Sequence, residues 1–303
     1  MKKLSEQSLE KIKAAIGGEN IFENEPLKEH SYMKIGGPAT YFFTPKSVDA
    51  LGILVEELKK EGCPYYIIGN CTNILFKDEG YEGAIIKIGE GFEDVEIEGE
   101  QATADAGITN ERLSEILTEA GLSGIEFASG IPGCLGGGIT MNAGAYDGEM
   151  KDIVESVTVL TKDGDIKELS NEEMHFSYRM SDVQKFGYIV LKAKLKLKKG
   201  NKEEIQAAVD DLTERRTSKQ PLEYPSCGSV FKRPVGHFAG GLISDSGLKG
   251  YSIGGAQVSE KHAGFIINKG GATAADVLAL VKHIQDKVKE DSGVDLVCEI
   301  RIV

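Results

Sequence analysis

Apolar and polar residues recur along this chain with two periods, and the two periods separate helices from strands. Leu51, Leu54, Val55 and Leu58 follow three- and four-residue spacing, which predicts an amphipathic helix over 48–61 that stops at Gly62. Similar spacing predicts helices near 5–16, over 110–120, over 202–216 and within 270–292. Short apolar or alternating runs predict strands over 41–43, 65–68, 74–76, 84–88, 95–98 and 101–106, the last three forming a meander. Residues 157–160 and 166–169 flank Asp163-Gly164, a hairpin signal. Residues 188–197 and 294–303 alternate as half-buried strands should, and 26–38 reads as a loop with a Gly-Gly turn. Strands come in runs with helices interspersed, which predicts an α+β fold rather than a doubly wound sheet.

Residues 130–146, GIPGCLGGGITMNAGAY, fit neither period. Glycine fills six of these positions and no charge appears before Asp147. A helix interior loses about 1 kcal/mol for each Gly in place of Ala, so a helix is not expected here. The stretch is also too apolar for a solvated linker. It reads either as a loop wrapped around a large, partly charged ligand with backbone N–H groups turned inward, or as a tight crossover packed on a sheet. Neither the phosphate-binding G-x-x-x-x-G-K-[ST] pattern nor a strand-to-helix G-x-G-x-x-G is present.

At 303 residues the chain exceeds a typical single core, so two or three domains are expected. Net charge of −13 argues against a nucleic-acid partner, and an anionic ligand would need its own cluster of cations. No apolar run reaches the ~20 residues needed to span a bilayer, and MKKLSEQSLEKIKAA lacks the apolar core of a signal peptide. The five cysteines are scattered without C-x-x-C, which argues against a disulfide framework or a metal site and favours a reducing, cytoplasmic setting.

Four further stretches carry candidate chemistry. Gly69-Asn70-Cys71-Thr72-Asn73 sits between two strands, as a phosphate-cradling turn or a plain hairpin turn does. Ser229, in YPSCGSVFKRP, follows a glycine between prolines and is either a rigidly held hydroxyl or a turn residue. Ser177-Tyr178-Arg179 offers a planar guanidinium matched to a carboxylate or phosphate, or a surface arginine beside a packed tyrosine. Glu299 interrupts the apolar final strand, and alternation places it with Arg301 on one face. The cluster Arg215, Arg216 and Lys219 could receive a diphosphate, or simply complement a helix C-terminus.

Together with Ile35-Gly36-Gly37-Pro38-Ala39, these stretches occur in the order seen in the UDP-N-acetylenolpyruvoylglucosamine reductase family, and the chain resembles that family over nearly its whole length. The length and the GSVFKRP spelling resemble the compact form, without the extra tyrosine-bearing loop. Cys71 stands where that family usually has glycine. The resemblance implies an α+β fold: a two-part FAD-binding unit of the vanillyl-alcohol-oxidase/PCMH type plus a smaller α+β substrate-binding domain. It places FAD-binding parts at 1–78 with 295–303 and at 79–213, and the substrate domain at 214–294. It implies FAD contacts from Ile68, Gly69, Asn70, Cys71, Thr72, Asn73, Gly130, Pro132, Gly133, Gly136, Gly137, Asn142, Ala143, Gly144 and Arg216. Tyr178, Lys219 and Arg233 would contact substrate, and Ser229, Arg179 and Glu299 would be catalytic.

The implied reaction is NADPH-dependent reduction of UDP-N-acetylglucosamine-enolpyruvate to UDP-N-acetylmuramate, a peptidoglycan precursor. It needs those residue types. Negative charge develops between C2 and its carboxylate, where a cation stabilises it. A carboxyl group can assist there only if its pocket keeps it protonated, and a hydroxyl completes the reduction at C2. Two other readings stand beside this one: an FAD-dependent oxidase of the same fold, and a non-catalytic nucleotide-binding module. No metal, nucleic-acid or membrane partner is expected.

Overall fold

The apolar stripes close around two hydrophobic cores. The computed structural model describes residues 3–303, and the chain divides into two compact units. The first takes in the chain up to Glu23, Tyr41–Asn70 and Glu82–Arg215; the second takes in Asn24–Thr40, Cys71–Tyr81 and Arg216–Val303.

In the first unit, helix Glu6–Ile16 packs on helix Val48–Lys60. Ser5 and Ser47 cap them, each accepting from the N–H three residues on. Ile12, Leu51, Leu54 and Leu58 are fully buried between them and the rest of the core. One sheet carries, in order, strands Ile21–Pro26, Pro38–Phe43, Tyr81–Lys87 and Tyr65–Ile68. The other is antiparallel and runs Ile166–Ser170, Val154–Leu160, Ile189–Lys196, Gln101–Asp105, Val95–Glu98.

The expected three-stranded meander is therefore corrected. Tyr81–Lys87 pairs parallel with Tyr65–Ile68 and belongs to a different sheet from its two successors. Ala84, Ile85 and Ile86 are buried on both faces, and a run apolar on both faces suits a parallel strand better than a half-solvated meander.

In the second unit, strands Ser226–Ser229, Phe265–Asn268, Ala256–Val258 and Ser252–Ile253 form an antiparallel sheet. Helix Ala274–Ser292 lies on it and buries Val277, Leu280, Ile284 and Val288. A Thr273/Asp276 capping box starts this helix, and both Asp78 carboxylate oxygens accept from its first turn, from Ala274 N (2.8 Å) and Ala275 N (2.9 Å). Gly293, at φ +73°, ends it.

Two further boundaries differ from expectation. The helix beginning at Lys202 continues past the expected end at Arg216 through Lys219, so Lys219 lies on its last turn with Arg216 and not beyond it. The alternating final strand is also broken, because the chain changes partner at Ile300. Lys232 N donates to Val297 O and Glu299 N to Val230 O, whereas Arg301 and Val303 donate to Asn73 O and Leu75 O. Only Arg301–Ile302 forms a regular strand, parallel to Ile74–Leu75. Leu296 and Ile300, four residues apart, are the buried positions.

Among the described residues no helix is long and apolar enough to cross a membrane. All five cysteines are free thiols.

Glu57 yields a test of the helix pair. It is only 4% exposed, and it accepts from Lys11 Nζ (2.8 Å) and Ser8 Oγ (2.8 Å). These two donors hold its carboxyl down to about 2, from an ordinary 4.5. The unfolded chain therefore takes up this proton first. The stabilisation is full above about 4.5 and is lost as pH falls towards about 2. Denaturant unfolding of the wild type should weaken across that window more steeply than that of Glu57→Gln. Parallel curves for the two proteins would remove Glu57 from this role.

Candidate active site

Within the first unit the glycine-rich stretch contains a short helix, Leu135–Thr140, against the expectation drawn from its composition. Packing overrides propensity. A Cβ on Gly136 would come to 2.9 Å from the Ala106 side chain, and one on Gly138 to 2.9 Å from Met150. At Gly136 only glycine allows this approach, because the Ala106 methyl cannot turn away, and it is fastened by Gly136 N to Ala106 O (2.8 Å) and Leu135 N to Ile108 O (2.9 Å).

Gly137 is different. It is exposed, and within 4 Å a Cβ there would meet only Cys134 Sγ, at 3.6 Å. A Cβ on Gly69 would collide with the same sulfur, so the turn after Ile68 and the glycine-rich stretch touch backbone to side chain. The N–H groups of Cys134 and Gly137 have no acceptor among the described residues. Partnerless backbone donors, the exposed Gly137 among them, beside a cradle too tight for a side chain are of the kind a diphosphate accepts. The residues therefore fit the anionic part of FAD.

Asn142 plays a structural part here. It is buried at φ +42°, and its side chain donates to Glu149 Oε2 (2.5 Å) and Ser177 O (3.1 Å) and accepts from Lys151 N (3.0 Å). Two residues on, Gly144 O accepts from Arg179 Nη2 at 3.1 Å. Arg179 and Tyr178 form the tip of a tight turn closed by Ser177 N to Met180 O (3.0 Å) and Met180 N to Ser177 O (3.1 Å). Arg179 sits at φ +57°, a conformation costing roughly 1–2 kcal/mol for a residue with a Cβ. Such strain persists where the surroundings hold it, commonly at functional sites. Tyr178 is half exposed, with the Arg179 guanidinium 5.1 Å from its ring centroid.

Cys71–Asn73 lies in the second unit. Cys71 is buried at φ +52°, the left-handed backbone that accounts for glycine being usual in that place. Asn73 donates to Glu299 O (3.4 Å) and accepts from Arg301 N (2.9 Å). Glu299 N in turn donates to Val230 O (2.7 Å), so Asn73, Glu299 and the residue after Ser229 share one bonded network. Ser229 is exposed at the end of its strand, opposite Phe265, and Val230 N bonds Gly264 O (2.9 Å) behind it. Before it, Gly228 has φ +72° with open space around it.

Cys227, two residues earlier, is no competing nucleophile. Burial pushes its thiol up to about 12, and it donates to Ile74 O at 3.0 Å. The Arg233 guanidinium lies 4.0 Å over the exposed Phe238 ring. Lys219 is exposed, while Arg215 pairs with Asp211 (2.7 Å). Lys261, which sequence reasoning missed, donates to Thr217 O (2.8 Å) in the same last turn. Nothing in its local sequence marks it. Among the described residues no group of three His, Cys, Asp or Glu side chains is arranged to hold a metal.

Residues 39–170 match the FAD binding domain family, and residues 220–303 match the C-terminal domain of UDP-N-acetylenolpyruvoylglucosamine reductase. The UDP-N-acetylenolpyruvoylglucosamine reductase of Alkaliphilus metalliredigens is 51% identical over 96% of this chain and 95% of its own. The crystal structure of the enzyme of that name from Thermus caldophilus is 36% identical, with a TM-score of 0.80 over 91% of this chain and 97% of its own. An alkyldihydroxyacetonephosphate synthase structure, at 17% identity and a TM-score of 0.50 over 65% of this chain, shares the fold alone. The α+β fold thus includes an FAD-binding unit of the vanillyl-alcohol-oxidase/PCMH type.

The left-handed backbone at Cys71 yields a stability comparison. Cys71→Ala keeps the strain and loses the thiol, whereas Cys71→Gly loses both. The glycine variant should be more stable than the alanine variant by about 1 kcal/mol in denaturant unfolding. The reverse order would mean that position 71 carries no strain.

Proposed function

This chain belongs to the UDP-N-acetylenolpyruvoylglucosamine reductase family, and on that premise we propose that it reduces UDP-N-acetylglucosamine-enolpyruvate to UDP-N-acetylmuramate with NADPH. It is an FAD-containing oxidoreductase. The observation that best supports the proposal is the bond from Glu299 N to Val230 O (2.7 Å), which sets the Glu299 segment beside the residue following Ser229. A carboxyl group and a hydroxyl on adjacent, bonded segments are what protonation next to a carboxylate requires.

Gly69–Asn73, with Ile68, and the glycines of 130–144 hold FAD through backbone donors, and Arg216 adds a cation. In the three-part division, 1–78 with 295–303 and 79–213 hold the cofactor and 214–294 takes the sugar nucleotide. Bound FAD supplies a two-electron relay between NADPH and the substrate. The remaining chemistry belongs to the chain. Arg179 meets the substrate carboxylate with its planar fork and stabilises the charge that builds between C2 and that carboxylate. Glu299 is half-buried, and in its protonated form it donates to the same developing charge. Ser229 gives its hydroxyl proton to C2 and recovers it from water. Tyr178, Lys219 and Arg233 bind the nucleotide. A cytoplasmic setting suits both this substrate and the free thiols.

Rapid mixing separates the two half-reactions. Ser229→Ala should be reduced by NADPH at the wild-type rate and reoxidised by the enolpyruvyl substrate about 10²–10⁴-fold more slowly. Equal slowing of both phases would make Ser229 structural.

Arg179→Lys should also lose turnover heavily, because a point charge cannot reproduce a bidentate fork. Steady-state turnover like the wild type's would place Arg179 away from the carboxylate.

A further inference from the structure

The strained Arg179 turn is held by side chains that no sequence motif marks. Gln184, in the short helix Asp182–Phe186, donates from Nε2 to Thr140 O (2.6 Å) and to Arg179 O (3.2 Å). Thr140 O also accepts from Ser181 Oγ (2.9 Å). One amide therefore joins the last residue of helix Leu135–Thr140 to the backbone of Arg179 itself. The turn is tied to the same stretch at two more points, by Asn142 Nδ2 to Ser177 O and by Arg179 Nη2 to Gly144 O, each 3.1 Å.

The orientation of the Gln184 amide is dictated by its neighbours. Two carbonyl oxygens and the Met141 sulfur (3.6 Å) face Nε2, so turning the amide over would set oxygen against acceptors. In the orientation it adopts, buried Oε1 has no donor among the described residues. A buried acceptor without a partner opposes folding. Its persistence beside the two donated bonds indicates that the amide serves the turn more than the stability of the chain.

We infer that Gln184 is a positioning residue, clamping the Arg179 turn to the end of the glycine-rich helix so that cofactor loading and placement of the guanidinium are coupled. The inference rests on the reading that Arg179 receives the substrate carboxylate. The coupling is local: both tied segments lie in the first unit, and each contains residues in left-handed backbone, Asn142 and Arg179. When the stretch 130–146 is ordered by FAD, the turn that shares its carbonyls is ordered with it.

Hydrogen exchange on the wild-type chain tests this without a variant. The amides of Ser177 and Met180, which close the turn, should exchange more slowly in FAD-loaded protein than in FAD-free protein. Equal exchange in the two forms would overturn the coupling. Gln184→Met then removes both donated bonds together with the partnerless acceptor, so thermal stability and FAD content should stay near wild type. The same two amides should exchange faster in the loaded variant, and reoxidation by the enolpyruvyl substrate should slow about 10–100-fold, with NADPH reduction unchanged. In an Arg179→Ala background the Gln184 change should add nothing further to the loss. Independent, additive losses would overturn the role. If Arg179→Lys alone turns over normally, it is the reading of Arg179 that fails, whereas an impaired Arg179→Lys beside a normal Gln184→Met sinks only the inference about Gln184.

Discussion

A side chain cannot be placed on Gly69 without striking Cys134 Sγ, and much of the candidate cofactor site follows from that contact. It brings the turn after strand Tyr65–Ile68 against the start of helix Leu135–Thr140. The helix is in turn pressed onto Ala106 and Met150 by glycines that leave no gap. Close backbone approach replaces side-chain packing here, and its consequence is chemical. Backbone N–H groups of Cys134 and Gly137 are left without partners among the described residues, and Gly137 is exposed. Oriented backbone donors can receive a diphosphate without adding cations, which suits a chain of net charge −13.

Strain is distributed in keeping with this. Cys71, Asn142 and Arg179 all adopt left-handed backbone although each carries a Cβ. Asn142 and Arg179 are held by side-chain bonds to neighbouring carbonyls. The carbonyls that receive those bonds belong to the glycine-rich stretch and to the Arg179 turn reciprocally. Each left-handed residue costs roughly 1–2 kcal/mol, and these reciprocal bonds offset part of that cost.

In the second unit, the corresponding device is a change of partner. Residues 297–299 bond to 230–232, and residues 301–303 bond to 73–77. Glu299 lies at that junction, with its N–H on Val230 and its carbonyl on Asn73. A strand continuing with one partner would have put Glu299 on a plain alternating face. The switch instead makes it the link between the Ser229 segment and the end of the Gly69–Asn73 turn. Asp78, a few residues on, caps the long helix that supports the sheet bearing Ser229.

The sequence by itself determined the elements whose signals are local. Helices Glu6–Ile16, Val48–Lys60 and Ala274–Ser292 were legible because stripe, cap and stop all lie within one segment. The hairpin at Asp163-Gly164 was legible for the same reason, Gly164 lying at φ +91°. The site motifs were legible as residue types, since a guanidinium, a carboxyl group and a hydroxyl announce their chemistry wherever they stand. What only the tertiary structure decided were the matters in which a distant segment chooses the outcome. Strand Tyr81–Lys87 takes a parallel partner instead of its sequence neighbours. Gly136 and Gly138 enter a helix where Ala106 and Met150 lie against them. The last strand divides because residues 230 and 73 both claim it. Gln184 gains its role from carbonyls at Thr140 and Arg179. Each of these depends on contacts between residues far apart in the chain, and propensity, which acts over a few residues, carries no information about them.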